Sequence, residues 1–145
     1  MKDKMDNITE YLKRKHAKIS RDYENTPEEQ RINCTDLAME CALRLSKRGW
    51  NPEIRRFSDD NVGDDGVLHS KKLVPVMFGD RIKWPFHDVC YHDLMIYDVF
   101  LGEPCFVTDY TRAMFGKEKI PFVTMINENQ IGSAIQRYIR KDNAR

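Results

Sequence analysis

The stretch NCTDLAMECALRLSKRGW, residues 33–50, constrains the fold most strongly because its apolar residues repeat with the period of an α-helix. These residues occupy positions i, i+3, i+4 and i+7: Ala38, Cys41, Ala42 and Leu45. Lys47 and Arg48 suit the C-terminal end of a helix, where the helix dipole is negative, and Gly49 ends it. The pattern predicts an amphipathic helix that packs on other elements through its apolar face.

The remaining sequence predicts strands between further helices. The predicted strands are EIRRF, KLVPVMF with Pro75 at an edge, a hairpin in FHDVCYHDLMIYDVF, PCFVTDY and IPFVTMI. The first twenty-odd residues predict a polar helix with Ile8, Leu12 and Ile19 on its inner face. NTPEEQ predicts a helix start capped by Thr26, NQIGSAIQRYIRK a closing helix, and SDDNVGDDGVLHS an exposed loop. Helices before a mostly antiparallel sheet define an α+β domain.

Length and composition predict one domain, 1–145, in which residues 1–25 form an N-terminal helical extension. Hydrophobic residues make up 41% of the chain, and the net charge of +1 gives no reason to expect nucleic acid or a membrane as the main partner. The charged start resembles neither a secretory signal nor a membrane span.

The four cysteines form no CxxC pair, so reduced thiols are expected in the cytoplasm or in a protein delivered by a signal-less secretion system.

FHDVCYHDLMIYDVF, residues 86–100, carries a histidine near its start and an aspartate near its end. If the hairpin turn is centred on His92 and Asp93, His87 faces Asp98 across the two strands. The same register pairs apolar residues on that face: Val89 with Ile96 and Tyr91 with Leu94. Facing side chains point to the same side, so the carboxylate can orient the imidazole and stabilise its protonated form. The pairing requires a loop of even length, since a slip by one residue moves Asp98 to the other face.

Cys34 is the candidate nucleophile. With Asn33 as the N-cap and Asp36 closing the cap, Cys34 lies in the first helical turn. Free backbone N–H groups and the helix dipole favour the thiolate there, and the same N–H groups can stabilise an oxyanion. In the alternative, a helix that starts at Thr26 runs unbroken through Arg48, and Cys34 is then mid-helix without this advantage.

The order of Cys34, His87 and Asp98 resembles the papain-like cysteine hydrolase superfamily. It looks most like the compact bacterial members: papain-fold toxins, small transglutaminase-like peptidases and glutamine deamidases. The resemblance rests on NCTDLAMECALRLSKRGW, on FHDVCYHDLMIYDVF and on IYDVFLGEP, where an Asp strand runs into a turn. It implies an α+β, papain-like core in which the cysteine starts a central helix packed on a mostly antiparallel sheet, and it implies no metal or organic cofactor.

The resemblance also implies a role for each site residue. Cys34 attacks the amide of a protein or peptide substrate, His87 transfers the proton, and Asp98 orients His87, as in a peptidase, amidase or protein-glutamine deamidase. Many members use a glutamine upstream of the cysteine in the oxyanion hole. The candidates for oxyanion or substrate contacts here are Gln30, Asn33 and Trp84. Trp84 is expected either in the wall of a substrate cleft or in ordinary core packing.

Two other classes of function remain open from the sequence. HDVCYH offers His87, Cys90 and His92 to a metal, with His69 or Cys34 as a further ligand, but strand alternation sends His87 and Cys90 to opposite faces. The other class is a non-catalytic binding or effector module on the same fold. The reactivity of Cys34 separates such a module from an enzyme.

Overall fold

The computed structural model describes residues 4–62, 68–71, 73–117 and 122–126, which form an α+β fold. The helices of this described part are α1 (Lys4–Asp22), α2 (Cys34–Ser46) and α3 (Val107–Phe115). The strands are β1 (Glu53–Phe57), β2 (Asp59–Val62), β3 (Leu68–Lys71), β4 (His87–His92), β5 (Met95–Tyr97), β6 (Cys105–Phe106) and β7 (Phe122–Ile126). The α+β class predicted from the sequence is confirmed.

Five strands form one antiparallel sheet in the order β6-β5-β4-β1-β7. β4 is central, so both of its edges are hydrogen-bonded, to β1 on one side and to β5 on the other. His87, the first residue of β4, pairs with Phe57 of β1, while the pairing with β5 begins at Cys90. The strands predicted in EIRRF and IPFVTMI are confirmed as β1 and β7.

The hydrophobic core confirms the helical periodicity. The predicted apolar face of α2 is at most 4% exposed at each position: Ala38, Cys41, Ala42 and Leu45. On α1, Ile8 and Leu12 are buried and Ile19 is half-buried, as predicted, while Tyr11 is also buried and its hydroxyl donates to Glu40. α1 is therefore part of the same core as α2 and the sheet.

Two predictions between β1 and β4 are wrong. SDDNVGDDGVLHS is not a loop throughout, because β2 and β3 pair as a two-stranded antiparallel hairpin; residues 63–67 lie outside the described residues. KLVPVMF is not a strand. Leu73 forms one isolated bridge with Trp84, and after Pro75 the chain makes a 3₁₀ turn, Val76–Phe78. Pro75 lacks a backbone N–H, so it cannot continue a strand ladder.

The prediction that PCFVTDY extends the sheet is confirmed for its Cys105–Phe106 part, which is edge strand β6, and is wrong for VTDY. Only Cys105–Phe106 pairs with β5, and the chain then enters α3, which ends at Gly116 in the left-handed conformation (φ 69°). The buried residues of α3 follow a helical rather than an alternating pattern: Tyr110, Thr111, Met114 and Phe115. The helix predicted in NQIGSAIQRYIRK lies outside the described residues.

The hairpin of β4 and β5 forms with a different register from the predicted one. The observed pairs are Cys90 with Tyr97, Tyr91 with Ile96 and His92 with Met95. The turn is Asp93–Leu94, and both residues have positive φ (49° and 69°), as a type I′ turn requires. A turn centred on His92 and Asp93 is therefore wrong, and so is the pairing of His87 directly opposite Asp98. The register is shifted by two residues, which preserves the face of each side chain because the side-chain period is two.

Candidate active site

α2 begins at Cys34, as the sequence predicts. Asn33 has extended backbone angles (φ −80°, ψ 162°), and its side chain accepts a hydrogen bond from the Asp36 N–H at 2.8 Å. The alternative of a continuous helix from Thr26 is wrong, because 3₁₀ turns at Tyr23–Asn25 and Glu28–Gln30 separate α1 from α2. Cys34 therefore lies half-buried at a helix N-terminus, where unpaired N–H groups and the helix dipole stabilise negative charge.

Thr26 is not a helix N-cap. Its hydroxyl donates to the carbonyl oxygen of Asp22 at 2.8 Å, so it bonds backward to the end of α1. The short helical turn after it, Glu28–Gln30, is preceded by Pro27 and has no side-chain cap. The predicted capping box at NTPEEQ is therefore wrong, and this break allows a new helix to start at Cys34.

His87 and Asp98 form a buried pair. Nε2 of His87 donates to Oδ2 of Asp98 at 2.9 Å, and the two residues are 0% and 4% exposed. Asp98 accepts two further hydrogen bonds, from the Tyr110 hydroxyl at Oδ2 and from the Phe100 N–H at Oδ1 at 3.1 Å. Asp98 lies just after β5, so the carboxylate reaches His87 diagonally. Three donors therefore hold this carboxylate in one orientation.

Aromatic rings fix the orientation of the His87 imidazole. Trp84 stacks on it, with ring centroids 4.5 Å apart and an interplanar angle of 10°. Phe100 and Phe115 contact it edge-on at 5.4 and 6.0 Å. The second ring nitrogen, Nδ1, is buried and has no hydrogen-bond partner among the described residues. The packing leaves this nitrogen free to exchange a proton with a neighbouring group.

Cys34 is the group next to His87 that could exchange a proton with its Nδ1. Burial of the imidazole opposes its protonation, but the charge and hydrogen bond of Asp98 and then the interaction with Cys34 outweigh burial and raise the pKa of His87 to about 10. These interactions favour the protonated imidazole, which has a carboxylate at Nε2 and the Cys34 sulfur nearby. An imidazole beside a thiol at a helix N-terminus is the arrangement that nucleophilic catalysis by cysteine requires.

A second buried carboxylate, Asp88, holds the Cys34 end of α2 against β4. Asp88 accepts from Arg56 at Oδ1 (Nε, 2.7 Å) and Oδ2 (Nη2, 3.0 Å) and from the Thr35 hydroxyl at 2.7 Å. Its own N–H donates to Sγ of Cys34 at 3.4 Å. Asp88 thus links β1, β4 and α2 beside the sulfur. Sequence analysis missed this role, although an acid next to His87 in an otherwise apolar strand was its signal.

Replacing Thr35 with valine is expected to lower the free energy of unfolding by about 1.5–3 kcal/mol, since it removes a hydrogen bond to a buried carboxylate and keeps the shape. Urea unfolding of both proteins measures the change. Thr108→Val is the control, because Thr108 is an exposed threonine of α3. Equal effects of the two substitutions would show that the Thr35–Asp88 bond contributes nothing.

The raised pKa of His87 predicts a pH-dependent stability. The stabilisation from protonated His87 is complete below the ordinary pKa of 6.5 and is lost as the pH rises through about 10. The unfolding free energy of wild type minus that of His87→Gln is therefore expected to be largest near pH 6 and to shrink toward pH 10. Urea titrations at each pH measure it, and a difference that stays constant would contradict the predicted protonation.

The other residues singled out from the sequence take different places. Gln30 is exposed on the 3₁₀ turn before Cys34, and the Asn33 side chain is occupied as the N-cap. Trp84 is only 9% exposed and stacks on His87, so of its two expected places the structure shows core packing rather than the wall of an open cleft. Tyr110 was missed because its stretch was interpreted as a strand. Its signal was the helical spacing of the apolar residues in VTDYTRAMF.

The candidate metal ligands do not converge. Cys90 is fully buried, and His92 stacks on Trp50 with ring centroids 4.8 Å apart, while His87 is held by Asp98. The side chain of His69 lies outside the described residues. Within the part of the chain that is described, no group of three or more His, Cys, Asp or Glu side chains is placed to hold a metal ion.

Comparison with protein-family models, with curated proteins and with solved structures found no match to this chain. None of the described helices combines the length and the apolar character needed to cross a membrane. The function of this chain must therefore be inferred from the geometry around Cys34, His87 and Asp98.

Proposed function

We propose that this protein is a cysteine-dependent hydrolase with a papain-like core, which attacks amide bonds through Cys34, His87 and Asp98. One observation carries the proposal: Nε2 of the buried His87 is on Asp98, its Nδ1 has no nitrogen or oxygen partner among the described residues, and Cys34 is the remaining group that favours its protonation. A buried histidine that only satisfies its hydrogen bonds would have partners on both nitrogens. The start of α2 at Cys34 supplies the helix N-terminus that the thiolate needs.

The reaction follows from these positions. The Cys34 thiolate attacks the carbonyl carbon of the amide, and the negative charge moves to the carbonyl oxygen. The C–N bond then breaks while His87 gives its Nδ1 proton to the leaving amine, which leaves a thioester on Cys34. Neutral His87 next takes a proton from water, the resulting hydroxide attacks the thioester, and the carboxylic acid is released with the thiolate restored. Asp98 stays ionised and keeps the imidazole in place.

Backbone N–H groups are the best-placed donors for the oxyanion. The first N–H groups of an α-helix have no acceptor within the helix, which includes those of Cys34 and Thr35. Gln30 is a further candidate, on the exposed turn that precedes the cysteine. The proposal includes a protein or peptide substrate and action in the cytoplasm or after signal-less secretion. Peptidase, amidase and glutamine deamidase activities share this chemistry, because each cleaves a C–N bond of an amide.

Trapping the acyl-enzyme tests the proposal without knowledge of the substrate. Incubation with p-nitrophenyl acetate is expected to add one acetyl group to wild type, seen by intact-protein mass spectrometry and located on Cys34 by peptide analysis. Cys34→Ala should lose this adduct, whereas Cys105→Ala should retain it, because Cys105 is the other partly exposed cysteine. Acetylation at Cys105 as fast as at Cys34 would refute the hydrolase proposal and favour a non-catalytic binding module.

A further inference from the structure

A groove runs beside the N-terminus of α2, between α1 and the 3₁₀ turns. Its cavity volume is about 160 Å³. Sites that enclose a whole small ligand span about 300–1,000 Å³, so this groove has the size of a subsite for one side chain. The apolar part of its lining consists of Ile19, Tyr23, Ile32 and Leu37. Ile32 is 54% exposed, which is unusual for a large apolar residue next to a buried site.

Three observations place the groove next to the nucleophile. Ile32 precedes Cys34 by two residues, and Leu37 lies one helical turn after it on α2. Tyr23 forms part of the lining and contacts Phe100 edge-on with ring centroids 5.3 Å apart, and Phe100 in turn contacts the His87 ring at 5.4 Å. Tyr23 therefore lies between the groove and the pair of Cys34 and His87.

The charged residues of the groove have a positive balance. Lys15, Lys18 and Arg31 line it against a single acid, Asp22, which bonds to Arg21 at 3.1 and 3.2 Å. Arg31 is held by neutral carbonyl oxygens, at 2.8 and 3.2 Å, so its charge remains available to an anion. Lys15 lies 3.6 Å from Glu40, which leaves Lys18 and Arg31 as the main sources of positive potential.

We propose that this groove binds an apolar side chain of a peptide substrate next to the scissile amide, with an acidic substrate residue beside it on Lys18 and Arg31. This inference rests on the proposed function and adds the substrate class. The apolar floor takes the side chain, because covering the exposed side chain of Ile32 removes apolar surface from water. The basic rim selects the neighbouring acid by charge complementarity.

Equilibrium binding to Cys34→Ala tests the groove without any chemistry at the thiol. The probes are acetyl-Glu-Leu-Gly-amide, acetyl-Lys-Leu-Gly-amide and acetyl-Glu-Ser-Gly-amide, titrated by NMR with the methyl groups of Ile19 and Ile32 as reporters. The first peptide is expected to bind about tenfold more tightly than either of the others, in line with one apolar contact or one charge reversal. Equal binding of all three, or no shift at these methyl groups, overturns the inference.

Matched variants test whether the peptide binds in this groove. In the Cys34→Ala background, Ile32→Asp and Lys18→Glu are each expected to weaken binding of acetyl-Glu-Leu-Gly-amide about tenfold. Leu94→Asp and Lys13→Glu are the controls: Leu94 is 58% exposed in the β4–β5 turn, and Lys13 is an exposed lysine of α1 outside the groove. Equal losses in the variants and the controls would place peptide binding elsewhere.

A kinetic experiment distinguishes the peptide-binding proposal for the groove from the hydrolase proposal for Cys34. Wild type is treated with iodoacetamide and with chloromethyl ketones of the same three peptides. Rapid modification of Cys34 by every reagent, without preference for the acidic, apolar peptide, leaves the hydrolase proposal intact and overturns the groove. Selective peptide binding to Cys34→Ala with an unreactive Cys34 in wild type supports the groove as a peptide site and refutes the hydrolase.

Discussion

Replacing Asp98 with alanine is expected to lower the free energy of unfolding by about 3–5 kcal/mol, the range for removing one partner of a buried ion pair. The carboxylate accepts from His87, Tyr110 and the Phe100 N–H, and each donor would remain buried without its acceptor. A loss this large means that Asp98 stabilises the fold as well as orienting His87. Urea unfolding followed by circular dichroism measures it.

Two comparisons make the Asp98 prediction specific. Glu103→Ala removes an exposed carboxylate and should leave stability within about 0.5 kcal/mol of wild type. Asp98→Asn keeps an acceptor for part of the network and should fall between Asp98→Ala and wild type. An Asp98→Ala protein as stable as Glu103→Ala would contradict the buried network around His87.

Replacing His87 with alanine is expected to slow acetylation of Cys34 by p-nitrophenyl acetate about 10²–10⁴-fold, the usual contribution of a positioned acid or base. The substitution removes the proton acceptor and the positive charge that stabilise the thiolate. Single-turnover release of p-nitrophenol measures the rate under conditions where the variant is folded.

The His87 prediction needs an internal reference because the substitution empties a buried, aromatic-lined space. Acetylation of Cys105 in the same sample provides it, since Cys105 is partly exposed and its thiol donates to the carbonyl oxygen of Phe106 rather than to His87. Equal slowing at Cys34 and Cys105 would indicate partial unfolding or changed solvent access. Unchanged rates at both cysteines in a folded variant would exclude His87 as the base.

The part of the fold set by periodicity was predictable from the sequence. The apolar faces of α1 and α2 depend on residues close in sequence, so their pattern is visible without tertiary contacts, and β1 and β7 were predicted from short runs of β-prone residues. PCFVTDY was misassigned because a short β-prone stretch leads directly into α3. The hairpin register was misplaced by two residues because Asp93–Leu94 is not a typical type I′ sequence.

The sequence predicted the three residues of the candidate site. It did not predict the residues that hold them in position. The N-cap at Asn33 placed Cys34 from local sequence, and the even loop kept His87 and Asp98 on one face despite the wrong register. Asp88 bonds to Arg56, which is far away in sequence. Tyr110 bonds to Asp98 from α3, a helix that the sequence did not predict. Such contacts have no short-range pattern, so only the tertiary structure reveals them.

The alkylation rate of Cys34 by iodoacetamide, measured from pH 4 to 10 by peptide mass spectrometry in wild type and His87→Ala, decides whether Cys34 and His87 form a catalytic pair. A thiolate–imidazolium pair predicts rapid alkylation well below pH 8 in wild type and a much slower reaction at the same pH in His87→Ala. If Cys34 instead reacts only as the pH approaches about 8.5, like an ordinary thiol, and His87→Ala behaves identically, then the two residues do not form a catalytic pair.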